Sequence, residues 1–416
     1  MAKAGTPRDD GQQSRAAASR VTFGEVFAVA EFRALWAAQV LSITGDQLAR
    51  VALTLLVFRQ THSALLAAAT FAASSVPMFV GGLTLSPLAD RLPRRQVMIA
   101  CDLGRAALVT IMAIPGLPLS VRVGPLFIVT LISAPFTAAR AAVYPDILSG
   151  DRYVLGTAVT LTTLQFSQVA GFAAGGVIAG FFGISTSLLA DAATFLGSAL
   201  ITRLWVRARP TAQPGARPGT HARSAAMAGF RLVFGDPRLR TPMLLGWLAA
   251  FYNIPAGVAA PLGHALGGGD IVVGLILAAS ALGASVGAVL FSRLVGPARR
   301  LRWMSPAAAA SCAVLLLFGF RPALPATLVI LAVCGLFDCY QLAASAAFVS
   351  AAPASHRSQA FGIAQGGLSL GQGVAMIMAG ALAQHYPPAE VIAAGGLLGV
   401  IATLLITVSS HWTQPG

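Results

Sequence analysis

The chain alternates between long apolar blocks and short breaks that hold most of its charged residues. The blocks run to about 20 residues, the length a helix needs to cross a hydrocarbon core of about 30 Å. Twelve spans are predicted: 35–58, 64–88, 96–116, 122–146, 154–182, 185–206, 241–265, 271–295, 303–320, 323–349, 359–384 and 388–409. The break between the fifth and sixth, near Gly183, contains no charge. Segment 21–33 sets Val21, Phe23, Val26, Phe27 and Phe32 among Glu25, Glu31 and Arg33, the pattern of an interfacial helix leading into the membrane. Residues 1–20 are polar, so the first apolar block reads as a retained helix and not as a signal peptide.

Composition agrees with this pattern. Only 10% of residues are charged and 56% are hydrophobic, against about 25% charged in a soluble domain, so most of the chain has no water to face. The net charge of +14 would suggest nucleic acid in a soluble chain. Here the cations sit between apolar blocks, which points to membrane orientation and to anionic lipid headgroups, with no nucleic-acid partner. With twelve spans both termini fall on one side. That side carries 22 of the 28 basic residues, the other side carries Arg59, Arg122 and Arg321, and Arg50, Arg105 and Arg140 lie within spans. So lopsided a split predicts cytoplasmic termini and a cell-membrane location.

The domain organisation follows: a cytoplasmic tail with the interfacial helix (1–34), a six-helix bundle (35–206), a cytoplasmic central loop (207–240), a second six-helix bundle (241–409) and a short tail (410–416). The loop begins as a proline- and glycine-rich linker, and 224–235 is expected to form a short amphipathic helix. The halves echo each other. Asp90 to Arg95 after span two is answered by Ser292-Arg293-Leu294 with Arg299-Arg300 after span eight. Pro145 is answered by Pro353, and the glycines of span five by those of span eleven. A duplicated six-helix unit around a midplane site is the construction many transporters use for alternating access.

The loop after span two reads Ser86-Pro87-Leu88-Ala89-Asp90-Arg91-Leu92-Pro93-Arg94-Arg95. It resembles the signature Gly-x-Leu-Ala-Asp-Arg-x-Gly-Arg-Arg of the major facilitator superfamily, with Ser86 and Pro93 at the two glycine positions. The continuation Val97 to Arg105, Gly45-Asp46, Ala139-Arg140 and Leu189 to Phe195 are similar to the bacterial exporter branch that includes the enterobactin exporter and macrolide efflux proteins. In span five, Gly171-Phe172-Ala173-Ala174-Gly175-Gly176 resembles the family's antiporter motif, with Phe172 where that motif has proline. The resemblance covers nearly the whole chain. It implies an all-α integral membrane fold of twelve helices in two six-helix pseudo-repeats, a monomer, and a central cavity lined by helices one, four, seven and ten.

An ionisable group inside a bilayer is costly and calls for a reason. The helices that the resemblance assigns to the cavity carry such groups: Gln39, Asp46, Gln47 and Arg50 in span one, Arg140 in span four, Trp247, Tyr252 and Asn253 in span seven, and Asp338, Tyr340 and Gln341 in span ten. A carboxylate at mid-membrane can take and release a proton near neutral pH, so Asp338 and Asp46 are the candidates for proton coupling. Asp46 has a structural alternative, an i,i+4 pair with Arg50. Arg140, Gln39, Asn253, Tyr252, Trp247 and Gln341 are the substrate-cavity candidates. Asp90, Arg91, Arg94 and Arg95 are the candidate gating charges. Asp102, placed to pair with Arg105, and Asp191 read as structural. Pro255, with Gly246 and Gly257, marks a kink in span seven.

No cofactor or metal is expected. Cys101, Cys312, Cys334 and Cys339 lie in apolar runs without zinc-ligand spacing, the six histidines are scattered, and no phosphate-binding loop is present. A membrane enzyme or sensor would need a soluble domain that the loops are too short to supply. The sequence therefore predicts a secondary transporter that uses the proton gradient to export small organic molecules of drug, siderophore or natural-product type. The alternative is a nutrient importer or uniporter of the same fold.

Overall fold

A computed structural model of the protein describes residues 22–73, 77, 81, 92–209, 230–353 and 357–411. Every regular element among them is helical, as expected where hydrocarbon leaves backbone groups no partner outside their own segment. The first half comprises α1 (Phe23–Ala28), α2 (Ala30–Thr61), α3 (Ala64–Ala72), α4 (Arg94–Ala113), α5 (Leu119–Val123), α6 (Pro125–Ile147), α7 (Asp151–Phe182) and α8 (Ile184–Trp205). The second comprises α9 (Pro237–Trp247), α10 (Ala249–Tyr252), α11 (Ile254–Gly257), α12 (Ala259–Ala265), α13 (Gly269–Leu294), α14 (Pro297–Val314), a 3-10 stretch Leu315–Phe320, α15 (Leu324–Phe337), α16 (Tyr340–Ala351), α17 (Arg357–Leu382) and α18 (Pro388–His411).

Among the described residues, nine helical stretches are long and apolar enough to cross a membrane, and the bent run from Pro237 to Ala265 makes a tenth. The two remaining expected spans coincide with α3, whose continuation lies largely outside the described residues, and with α17. The surface is apolar: Phe181, Phe182, Leu294 and Phe320 are between 70% and 84% exposed, whereas Asp102, Arg105 and Asp191 are at most 1% exposed. Segment 21–33 is split, because α1 stops at Ala28 and Arg33 already belongs to α2. The apolar side chains of that segment also cover protein: Val26 and Phe32 pack with Leu148, and Phe27 meets the Trp36 ring at 5.3 Å.

Helix breaks fall where the chain chemistry requires them. Gly183 separates α7 from α8 with φ +87°, a conformation that a side chain would strain. Span seven is broken at Leu248, Asn253 and Val258 and bends by 43° after Gly257. Pro255 lies just before the bend and has no N–H to continue the ladder. Span ten breaks at Asp338 and Cys339, between α15 and α16.

The halves meet along α7 against α13 and α3 against α17. Spans five and eleven correspond in the predicted duplication, as do two and eight, so these are one contact repeated by pseudo-symmetry. Glycine makes both close: a Cβ on Gly176 would lie 2.7 Å from Cα of Gly274, and one on Gly380 would lie 2.9 Å from the Ala64 carbonyl oxygen. Gly171 and Gly175 of the same run instead face α2, against Thr44 and Leu48. Within the second half, α13 lies so near α15 that a Cβ on Gly283 would collide with the Ala332 carbonyl, while one on Gly319 would meet nothing within 4 Å. Gly283→Ala is therefore expected to cost about 1–3 kcal/mol and to lower the melting temperature of the purified protein. Gly319→Ala leaves it in place, and equal melting of the two variants would contradict this packing.

Candidate functional site

Two cavities lie inside the helices. A central one of about 320 Å³ takes residues from both halves: Arg50 of α2, Phe71 of α3, Gln165, Gln168 and Phe172 of α7, then Asn253, Ser280, Asp338, Gln372 and Met376. A second, of about 390 Å³, lies within the first half and is lined by Gln39, Asp46, Arg50, Arg105, Arg140, Gln168 and Asp191, among others. Arg50 and Gln168 border both.

Asp338 sits at the break in span ten and faces the central cavity. The phenol of Tyr252 donates to its Oδ1, and Gln341 Nε2 donates to the Tyr252 hydroxyl at 2.9 Å. The same amide donates to the Gly246 carbonyl at 2.8 Å, and the Tyr340 hydroxyl to the Leu245 carbonyl at 2.9 Å. Leu245 and Gly246 lie in the last turn of α9, where carbonyls lose their intrahelical donors. The break in span seven is thus satisfied by side chains of span ten, and the two bent spans are tied together around Asp338.

This geometry corrects three substrate-cavity expectations. Tyr252 and Gln341 line no part of the central cavity; they are braces, with Tyr252 5% exposed. Trp247 turns to α17, where its indole N–H donates to the Ala364 carbonyl at 2.9 Å and its ring fills the space left by Gly367. It lines a separate cleft with Gln341. Asn253 does line the central cavity. Arg140, Gln39 and Asp46 lie in the first-half cavity, so span four adds nothing to the central one. Gln39 accepts from the Tyr144 hydroxyl at 3.1 Å, and the Arg140 guanidinium lies 5.5 Å from the Phe136 ring centroid.

Asp46 forms no ion pair within 4.0 Å with Arg50, so the i,i+4 alternative is not realised. Asp102 does pair with Arg105 and also accepts from Ser198 at 2.6 Å. The Arg105 guanidinium is held between the rings of Phe136 and Phe195, at 4.5 and 4.3 Å. Breaking a buried pair of this kind costs about 3–5 kcal/mol. Asp191 is not buried in packing alone: it lines the first-half cavity, and its Oδ2 has no hydrogen-bond partner. Gln165 and Gln168 are the cavity residues that helix numbering passes over, since span five is not among the four helices expected to line it; Arg50 of span one lines both cavities. Two amides at i,i+3 in a span without charge were the available signal.

Asp90 and Arg91 lie outside the described residues. Arg94 donates to Asp146 at 2.7 Å and to the Ala142 carbonyl at 2.8 Å, and Arg95 donates to the Arg203 carbonyl. These contacts tie α4 to the ends of α6 and α8, all within the first half. At the opposite end of the bundle, contacts cross between halves. Arg59 in the last turn of α2 pairs with the buried Asp270 in the first turn of α13, each placed favourably for its helix dipole. Gln384 donates to Ser63 at 2.8 Å, and the rings of Phe58 and His264 lie 5.0 Å apart. Asp270→Asn is expected to loosen this clasp. Spin labels at Gln60 and Ala265 would then report longer and broader distances than in the native protein, and an unchanged distribution would remove the ion pair from the clasp.

Comparison with known proteins places this geometry. The family model for the major facilitator superfamily matches residues 35–262 and again 249–414. The enterobactin exporter EntS of Shigella boydii serotype 4 is 28% identical over 298 residues, covering 70% of this chain and 70% of that protein. EntS of Escherichia coli O139:H28 is 27% identical over the same shares. A solved POT family transporter in complex with 5-aminolevulinic acid superposes with a TM-score of 0.75 at 11% identity, over 95% of this chain and 98% of its own. The nucleoside transporter NupG does so with 0.68 at 14%, over 91% and 99%. The chain belongs to the major facilitator superfamily: it is a multi-pass membrane protein and a secondary transporter of small molecules, not an enzyme.

Proposed function

We propose that the protein exports small organic molecules in exchange for protons, by alternating exposure of its central cavity. The observation that carries this reading is Asp338, a carboxylate set at a mid-span helix break, facing the cavity and joined through Tyr252 and Gln341 to span seven. A hydrogen bond to an ionised carboxylate is about twice as strong as a neutral one. Taking up a proton therefore weakens the tie between the two bent spans, and losing it restores the tie. A proton thereby acts on the shape of the second half. Asp46 is the second coupling candidate, in a cavity whose cations are Arg50, Arg105 and Arg140. The direction of transport is supported by the relatives named as exporters. The excess of basic residues on the side of the termini supports cytoplasmic termini in the inner membrane. Arg94 and Arg95 serve as braces of the first half near the gating loop, and the working unit is a monomer.

The test is accumulation of a dye and antibiotic panel in bacteria lacking their own efflux pumps, at matched membrane levels of native protein and Asp338→Asn. Native protein is expected to lower accumulation of at least one compound, and both a protonophore and Asp338→Asn to abolish that effect. Export that persists in Asp338→Asn would take the coupling role from this residue. Export untouched by the protonophore would remove proton drive.

A further inference from the structure

Arg50 is the one cation among the described residues that lines the central cavity. It lies two-thirds of the way along α2, and a charge there is costly unless something pays for it by pairing or hydration. The other cations within spans are otherwise engaged or elsewhere. Arg105 is paired with Asp102 and closed between two rings, and Arg140 borders only the first-half cavity. Arg50 has no carboxylate within 4.0 Å and no side-chain hydrogen bond among the described residues. The Phe71 ring lies 5.3 Å from its guanidinium carbon. That contact steadies a planar cation through its face and leaves its N–H donors to the cavity. Two carboxylates are near it: Asp46, one turn back on α2 in the adjoining cavity, attracts it from beyond 4.0 Å, and Asp338, which also lines the central cavity, is already engaged by Tyr252.

Around Arg50 the lining is rich in amides: Gln165, Gln168, Asn253 and Gln372, with Ser280. Such a lining suits a polar cargo with several oxygens. A guanidinium recognises a carboxylate or similar planar anion by two parallel hydrogen bonds.

We propose that Arg50 receives an anionic group of the cargo, and that the substrate class is an organic anion bearing further hydrogen-bonding groups. The inference rests on the transporter reading and specifies its cargo. Its test uses binding alone, so that it can fail separately from export. Full-length protein in lipid nanodiscs would be melted, with tryptophan fluorescence as readout, in the presence of benzoate, salicylate and 2,3-dihydroxybenzoate, and of the three matching amides. Each pair keeps its shape and differs in charge. At least one acid is expected to raise the melting temperature where its amide does not. Arg50→Gln is expected to weaken its apparent affinity about tenfold or more. If Arg50→Gln fails to fold, Arg50→Lys, which keeps the charge and loses the bidentate fork, is expected to give a reduced shift. No acid exceeding its amide would overturn the proposal, as would an acid shift undiminished in the folded Arg50 variant. Acid binding through Arg50 in a protein that lowers no accumulation would sustain this site and remove the export reading instead.

Discussion

Charged groups must be kept away from lipid, and in this chain that one constraint arranges everything around the cavities. The outer surface is apolar, and the ionisable residues carried by the spans are turned inward. Once inside, each meets one of two fates. Asp102 and Arg105 pair with each other at the edge of the first-half cavity, the Arg105 guanidinium lying against the rings of Phe136 and Phe195. Arg50, Asp46, Asp191 and Asp338 face space instead of each other. Space lined by charge is space for water, protons or solute, and it is what distinguishes a carrier from a packed bundle.

The second constraint is how closely helices approach. Lipid tails are as apolar as the helices themselves, so association relies on close backbone packing, which small residues allow. Gly176 on Gly274 and Gly380 on Ala64 bring the halves together at two places related by the internal repeat. The same contact thus occurs twice, between spans five and eight and between spans two and eleven. Spans seven and ten are both broken, and carbonyls of span seven at its break accept from Tyr340 and Gln341 of span ten.

The fold was legible in the sequence because hydropathy records every crossing. Eleven of the twelve predicted spans fall on helices among the described residues, the second is described only at its start in α3, and the uncharged break at Gly183 is present. The family motifs identified the architecture as well. Side-chain azimuth was not legible. A span that is apolar around most of its circumference has no polar stripe to mark its inward face, so Trp247, Tyr252 and Gln341 were assigned to the cavity from the number of their helix, although they turn to neighbouring helices. Spacing alone likewise left two readings of Asp46 open, proton coupling or an i,i+4 pair with Arg50, and no ion pair within 4.0 Å forms between them. Asp191 was set aside because its helix is not one of the four expected to line the cavity, yet it reaches the first-half cavity through the gap left by Gly45. Sequence supplied the residues that matter; packing decided which of them share a space.

The central claim is that Asp338 exchanges a proton with the cavity during transport. Infrared difference spectra of the purified protein, recorded between mildly acidic and mildly alkaline buffer, test it without knowledge of the cargo. The account predicts a carboxyl stretching band that appears on acidification, shifts in heavy water and is missing from Asp338→Asn. The same band with the same titration in that variant would contradict the account.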